Sequence, residues 1–173
     1  TSLVSGPLAA KSGRIVGWDL PDRDVAVIDT ASLAVSYLHR LMNINMAMSV
    51  RASDGRLTVV GTEATNEIRF EPVIRGTFTR VNVALVNAGN DTAGWVDLNA
   101  HLSYASSAVP QATRDIALGD PRGIVWNVAG TRAYVTGMGS NNVVVIDAAG
   151  TRAGLAPTIE VGEESISMRY GRI

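Results

Sequence analysis

Apolar positions along this chain fall in short runs, separated by clusters of Gly, Ser, Asn, Asp and Thr. Residues 143–146 (Val143, Val144, Val145, Ile146) form an uninterrupted β-branched run that Asp147 stops, which predicts a strand with both faces buried. Upstream, residues 124–126 and 133–136 are further β-prone runs. The turn cluster 127–130 separates them, and a Gly/Ser/Asn-rich loop, 138–142, leads into the third strand. The unit is therefore strand, turn, strand, loop, strand.

The same unit recurs. Aligned without gaps, Arg14 falls on Arg132, Asp24 on Asn142, and Val25-Ala26-Val27-Ile28-Asp29 on Val143-Val144-Val145-Ile146-Asp147. A second copy sets Val50 on Val125, Gly55 on Gly130, Val60 on Val135 and Asn66 on Asn141. The distance from Asp24 to Glu67 lies in the roughly 40–45-residue period of a four-stranded propeller blade, and that from Glu67 to Asn142 exceeds it by roughly 30 residues. The excess is expected as an insertion at about 71–107, with strands at 78–86 and 95–98, and an outer strand is expected at 114–118. Residues 31–48 place Leu33, Tyr37, Leu38, Leu41 and Met42 near helical spacing, but the repeat register makes 35–41 an outer strand and 46–50 the next inner one. Glycines at 55 and 130 are expected at positive φ, and Asp29 and Asp147 are expected to cap turns.

These patterns predict an all-β propeller segment of about two and a half four-stranded blades. Its repeat units are about 12–43, 44–118 and 119–162, followed by an atypical tail, 163–173. In such an arrangement Val144 and Ile146 face one neighbouring sheet, and Val25, Val27, Val143 and Val145 face the other. A ring needs four or more blades, so the open ends call for completion by further copies of the chain or by the remainder of a longer protein.

The run Arg132-Ala133-Tyr134-Val135-Thr136, followed by Asn141 to Asp147, is similar to the YVTN-type β-propeller repeat. Gly137 stands where that family has Asn. Gly119 and Pro121 resemble its Gly-x-x-Pro blade start with a shorter gap, and in the second copy Val59, Val60 and Gly61 replace the signature. The resemblance covers residues 12–68 and 114–162. It implies a bacterial protein of the periplasm or cell exterior that works as a binding or scaffolding surface. Related propellers include lactonase-like hydrolases, which hold a catalytic divalent metal, and haem-d1 domains, some with c-type haem modules. Two alternatives to the scaffold follow: a lactone hydrolase, and an accessory propeller of an electron-transfer protein.

Composition narrows the chemistry. With 173 residues, 46% apolar and 18% charged, the chain can bury a core. Its net charge of −1 and lack of a basic block exclude nucleic acid as the expected partner. There is no cysteine, hence no disulfide, thiolate zinc site or haem-attachment motif. No apolar run approaches the roughly 20 residues that cross a bilayer, and no leader is visible at Thr1.

The loop containing Asp19, Asp22 and Asp24 concentrates carboxylates, the hard oxygen ligands of Ca²⁺. Glu63, Glu67 and Asn142 occupy equivalent loops of the other repeats. Asp22, Asp24, Glu63, Glu67 and Asn142 are thus the candidate ligands, and in the hydrolase alternative the metal would polarise a lactone carbonyl and acidify a water. Asp120 and Arg122, before an inner strand, would either bind a polar ligand or pair. His39 and His101 lack any catalytic motif and read as structural or surface residues. Trp18, Trp95 and Trp126 match no carbohydrate ladder and read as core.

Overall fold

The computed structural model of the protein describes residues 23–64, 79–87, 92–104, 109–154 and 159–160. In chain order the elements are β1 (Val25–Ile28), β2 (Val35–Leu38), β3 (Ile44–Val50), β4 (Leu57–Ala64), β5 (Thr79–Asn87), β6 (Thr92–Asp97), α1 (Gln111–Asp115), β7 (Pro121–Trp126), β8 (Arg132–Gly137), β9 (Asn142–Asp147) and β10 (Ile159–Glu160). Among the described residues the chain is all-β apart from α1. It divides into two compact units, Thr1–Arg40 and Leu41–Ile173.

The first unit holds the antiparallel hairpin β1–β2, with Val25 opposite Leu38 and Ile28 opposite Val35. Its turn is organised by Asp29, whose Oδ1 accepts from the Ser32 N–H (2.7 Å), the Ser32 hydroxyl (2.7 Å) and the Ala31 N–H (3.1 Å). These bonds, led by the Ser32 N–H, hold the carboxyl below its ordinary pKa. The helical spacing of 31–48 is therefore not realised. The segment supplies β2 and β3 instead, as the repeat register requires.

The second unit contains two four-stranded antiparallel meanders, ordered β3-β4-β5-β6 and β10-β9-β8-β7. Among the described residues no sheet closes on itself. The segment expected as an insertion carries β5 and β6, which are the third and fourth strands of the first meander. β5 pairs with β4 along its length, Val60 opposite Val83. The outer strand expected at 114–118 is a correction, because α1 forms there. Pro110 sits before α1 with φ −54°, and Gln111 bonds both Arg114 (2.5 Å) and Asp115 (2.6 Å) across one turn. The edge that strand would have filled is already occupied by β6.

The two meanders pack face to face. Val60, Val81, Val83 and Leu98 from one meet Leu118, Trp126, Ala133, Val135, Val144 and Ile146 from the other. Alternation in register assembles this layer: Val135 lies between Ile124 and Val144, and Ala133 between Trp126 and Ile146. Each fully buried valine or isoleucine contributes about 1.5–3 kcal/mol. Val144 and Ile146 face this core as expected, whereas Val143 and Val145, on the opposite side, are only half-buried. Of the tryptophans, Trp126 is a core residue at 9% exposure, Trp95 on the edge strand β6 is 46% exposed, and Trp18 lies outside the described residues.

Polar groups at this interface are matched across it. Trp126 Nε1 donates to Thr58 Oγ1 (3.0 Å). Arg51, in the β3–β4 turn, stacks over the Trp126 ring at 4.9 Å and donates through Nη1 to the Ala148 carbonyl (2.7 Å). Asp54 fixes the same guanidinium through two bonds, to Nε (2.9 Å) and Nη2 (2.5 Å), and its own pKa falls to about 2. Asp147 caps its turn as anticipated, accepting from the Ala149 and Thr151 N–H groups, each at 2.9 Å.

Both turn glycines adopt left-handed backbone, Gly55 at φ +70° and Gly130 at φ +66°. Their surroundings differ. A Cβ on Gly55 meets nothing within 4 Å, whereas one on Gly130 would overlap Ser53 Oγ and press on Arg51 Cγ at 3.0 Å. Gly55→Ala is expected to cost about 1 kcal/mol from backbone strain alone. Gly130→Ala should cost about 2–4 kcal/mol, because overpacking adds to the strain. Urea unfolding of the two variants checks the ordering.

Candidate functional site

The residues singled out from sequence are placed as follows. Asp22 and Glu67 lie outside the described residues. Asp24 precedes β1 in the first unit, and its N–H donates to the Leu38 carbonyl (2.9 Å). Glu63, near the end of β4, accepts the Asn43 N–H (2.9 Å), while Asn43 Oδ1 accepts the Ala64 N–H (2.7 Å). This exchange ties the start of β3 to the end of β4. Asn142, buried at the start of β9, donates to the Ala117 carbonyl (3.0 Å) and accepts the Ser140 hydroxyl (2.6 Å). Glu63 and Asn142 are thus committed to securing loops. Among the described residues no three His, Cys, Asp or Glu side chains gather as a metal site. Asp120 and Arg122 are brought together as an ion pair, Oδ1 to Nε at 2.9 Å.

A different cluster, not singled out from sequence, gathers where β6 ends and the chain crosses to the second meander. Asp97 closes β6; its Oδ1 accepts the Asn99 N–H (2.7 Å) and its Oδ2 accepts the Tyr104 hydroxyl (2.5 Å). Arg80, on β5, lies over the Tyr104 ring at 4.5 Å. Burial and the Asp97 carboxylate push the Tyr104 pKa far above its ordinary value, so the phenol keeps its proton and acts only as a donor.

Asn99 is buried and works like a strand residue. Its Nδ2 donates to the Leu118 carbonyl and its Oδ1 accepts the Leu118 N–H, both at 2.8 Å. Arg152, from the turn after β9, donates to the carbonyls of Ile116 (2.9 Å) and Leu98 (3.3 Å). Burial lowers its pKa. His101 Nε2 lies 3.2 Å from the Thr113 carbonyl of α1. Two side-chain nitrogens here, Arg80 Nε and His101 Nδ1, are buried without a hydrogen-bond partner.

Chemically, the cluster has a locked phenol, an imidazole, two guanidiniums and a carboxylate with both oxygens occupied. It can hold backbone segments together and take up a proton, but it pairs no nucleophile with a base. A sequence signal for it exists: Asp97, Asn99, His101 and Tyr104 follow one another closely after an apolar strand, in a chain with only two histidines. What sequence alone does not give is Arg152, which arrives from a distant turn.

No protein-family model matches the chain, and no curated protein matches it. Among solved structures, the chain is similar to a chain of Kuenenia stuttgartiensis hydrazine synthase at 18% identity and a TM-score of 0.47. That likeness covers 69% of this chain and 31% of the other, so this chain spans under a third of that neighbour's length.

The Asn99 clasp carries a direct test. Asn99→Ala strips partners from both the N–H and the carbonyl of buried Leu118, and should cost about 2–4 kcal/mol. Chemical denaturation compared with the wild type reads that loss.

Proposed function

We propose that this chain is a β-propeller segment of the YVTN-like kind, each four-stranded meander being one blade, and that it works as a binding or scaffolding surface. One observation carries the reading: the second meander has one face sealed in the core and an opposite, open face that bears an apolar patch beside Arg132, Thr136 and Asp147. On that open face Val125 is 59% exposed, and Tyr134, Val143 and Val145 are half-buried. A solvated sheet face ordinarily alternates to polar residues. An apolar one is suited to receive another sheet, here a further copy of the chain or the remainder of a longer protein. The succession of meanders with matching turn glycines supports the same reading, because the contact already made by one face of β7–β9 can be repeated on the other.

Sedimentation velocity over a concentration series tests this. The wild-type chain should self-associate as concentration rises. A Val125→Lys, Val145→Lys double variant should stay monomeric and unfold within about 1 kcal/mol of the wild type, since both sites are on the open face. A wild type that remains monomeric, and that fails to bind an apolar dye which the double variant also excludes, would overturn the proposal.

A further inference from the structure

We propose that His101 is an acid-sensitive latch on the connection between the two meanders: a proton taken up at Nδ1 releases α1 from the turn after β6, while the sheets stay stacked. None of the α1 residues is buried, so α1 has no apolar anchor of its own. What holds it is polar. The neck of the connection is closed by Asn99 and Leu118, and inside it His101 reaches Thr113 while Arg152 grips Leu98 and Ile116.

A carbonyl oxygen can only accept, so Nε2 carries the imidazole hydrogen and Nδ1 is a bare acceptor. That atom is buried with no partner. Protonation turns it into a donor with nothing to receive it, and places a positive charge near the guanidinium of Arg152. A buried, unpaired charge is strongly unfavourable.

The surrounding charges do not relieve it. Asp97, from β6, attracts the imidazolium, but its oxygens are already bonded to Tyr104 and to the Asn99 N–H. Arg152, from the β9 turn, repels it. On α1 itself, Arg114 and Asp115 are exposed and bonded to Gln111. Burial first, and Arg152 second, hold the imidazole below its ordinary pKa of 6.5, outweighing the Thr113 carbonyl and Asp97, which both favour the imidazolium. The folded protein therefore binds fewer protons at His101 than the unfolded chain does. The buried placement of His101 is at full strength above pH 6.5 and is lost as pH falls through the depressed value, because the site as a whole, and not the bond to Thr113, disfavours the charged ring.

Hydrogen exchange with intrinsic rates corrected for pH, at pH 7.5 and pH 5, tests the latch. Protection of the Ala117 and Leu118 amides should fall severalfold at the lower pH, relative to the amides of Val60 and Val135. His101→Gln keeps a donor for the Thr113 carbonyl but cannot titrate, and should abolish the fall; His39→Gln should preserve it. A fall that persists in His101→Gln, or no fall in the wild type, overturns the proposal. Should His101→Gln not fold, the imidazole titration of the wild type by NMR decides: a His101 pKa at or above 6.5 also overturns it.

Discussion

The second unit depends on one contact, the apolar layer between β4–β5 and β8–β9. A sheet buried on one face alone can alternate apolar with polar residues, but a sheet that must meet neighbours on both faces cannot. The layer here takes Val60 from β4, Val81 and Val83 from β5, and Val144 and Ile146 from β9, while Val143 and Val145 on the other side of β9 are half-buried. Its burial also explains why the polar atoms that fall at the contact are matched from the opposite sheet, since hydrogen bonds to water are lost there. Arg51 and Arg152 do this reciprocally, each leaving one sheet's turn to bond a carbonyl outside its own meander. Arginine suits the task because its planar fork supplies several donors from a stem that packs against apolar neighbours.

The same layer places the polar cluster. Leu98 is buried in the core, so the residues immediately around it are pulled to the rim of the contact. Asp97 and Asn99 flank it there, where carboxylate and amide groups are half out of water and must find partners. Tyr104 and the Leu118 backbone are those partners. His101 is drawn in by the same turn, close to Arg152, and its unusual setting follows from packing constraints that have nothing to do with the imidazole.

Much of the fold was legible in the residues. β9 announces itself by four β-branched residues ended by an aspartate, and the left-handed turns at Gly55 and Gly130 follow from a tight strand-to-strand connection that wants glycine. The register that rejected a helix over 31–48 rested on the repeat spacing, which leaves little room for a helix; burial is not repeated between the copies, since Ile28 is 58% exposed and its counterpart Ile146 is buried. What was not legible is which strand pairs with which. β5 and β6 looked like an insertion because β4, on which β5 pairs, is far from β5 in sequence, and local alternation says nothing about that partner. Five-residue α1 is too short to leave a periodic signature. The left-handed backbone at Asp120 and Asn141, where no glycine marks it, was likewise beyond reach. Of the candidate ligands, Glu63 and Asn142 have the right chemistry for a cation, but a Glu63 oxygen accepts the Asn43 N–H and the Asn142 oxygen accepts the Ser140 hydroxyl, a choice set by loop geometry. The cluster around His101 was missed because its environment is made by Arg80 and Arg152, distant in sequence.

The amide of Asn99, facing Leu118 in both directions, amounts to one rung of a ladder built from a side chain. It pins together the two ends of the excursion between the sheets, so the chain within that excursion is a closed loop whose mouth has fixed width. The entropy of closing such a loop grows only slowly with its length, by about 0.6 kcal/mol for each doubling. An excursion of very different size could therefore close on the same rung, which makes the stretch between Asn99 and Leu118 the natural place in this fold for a foreign peptide to be grafted.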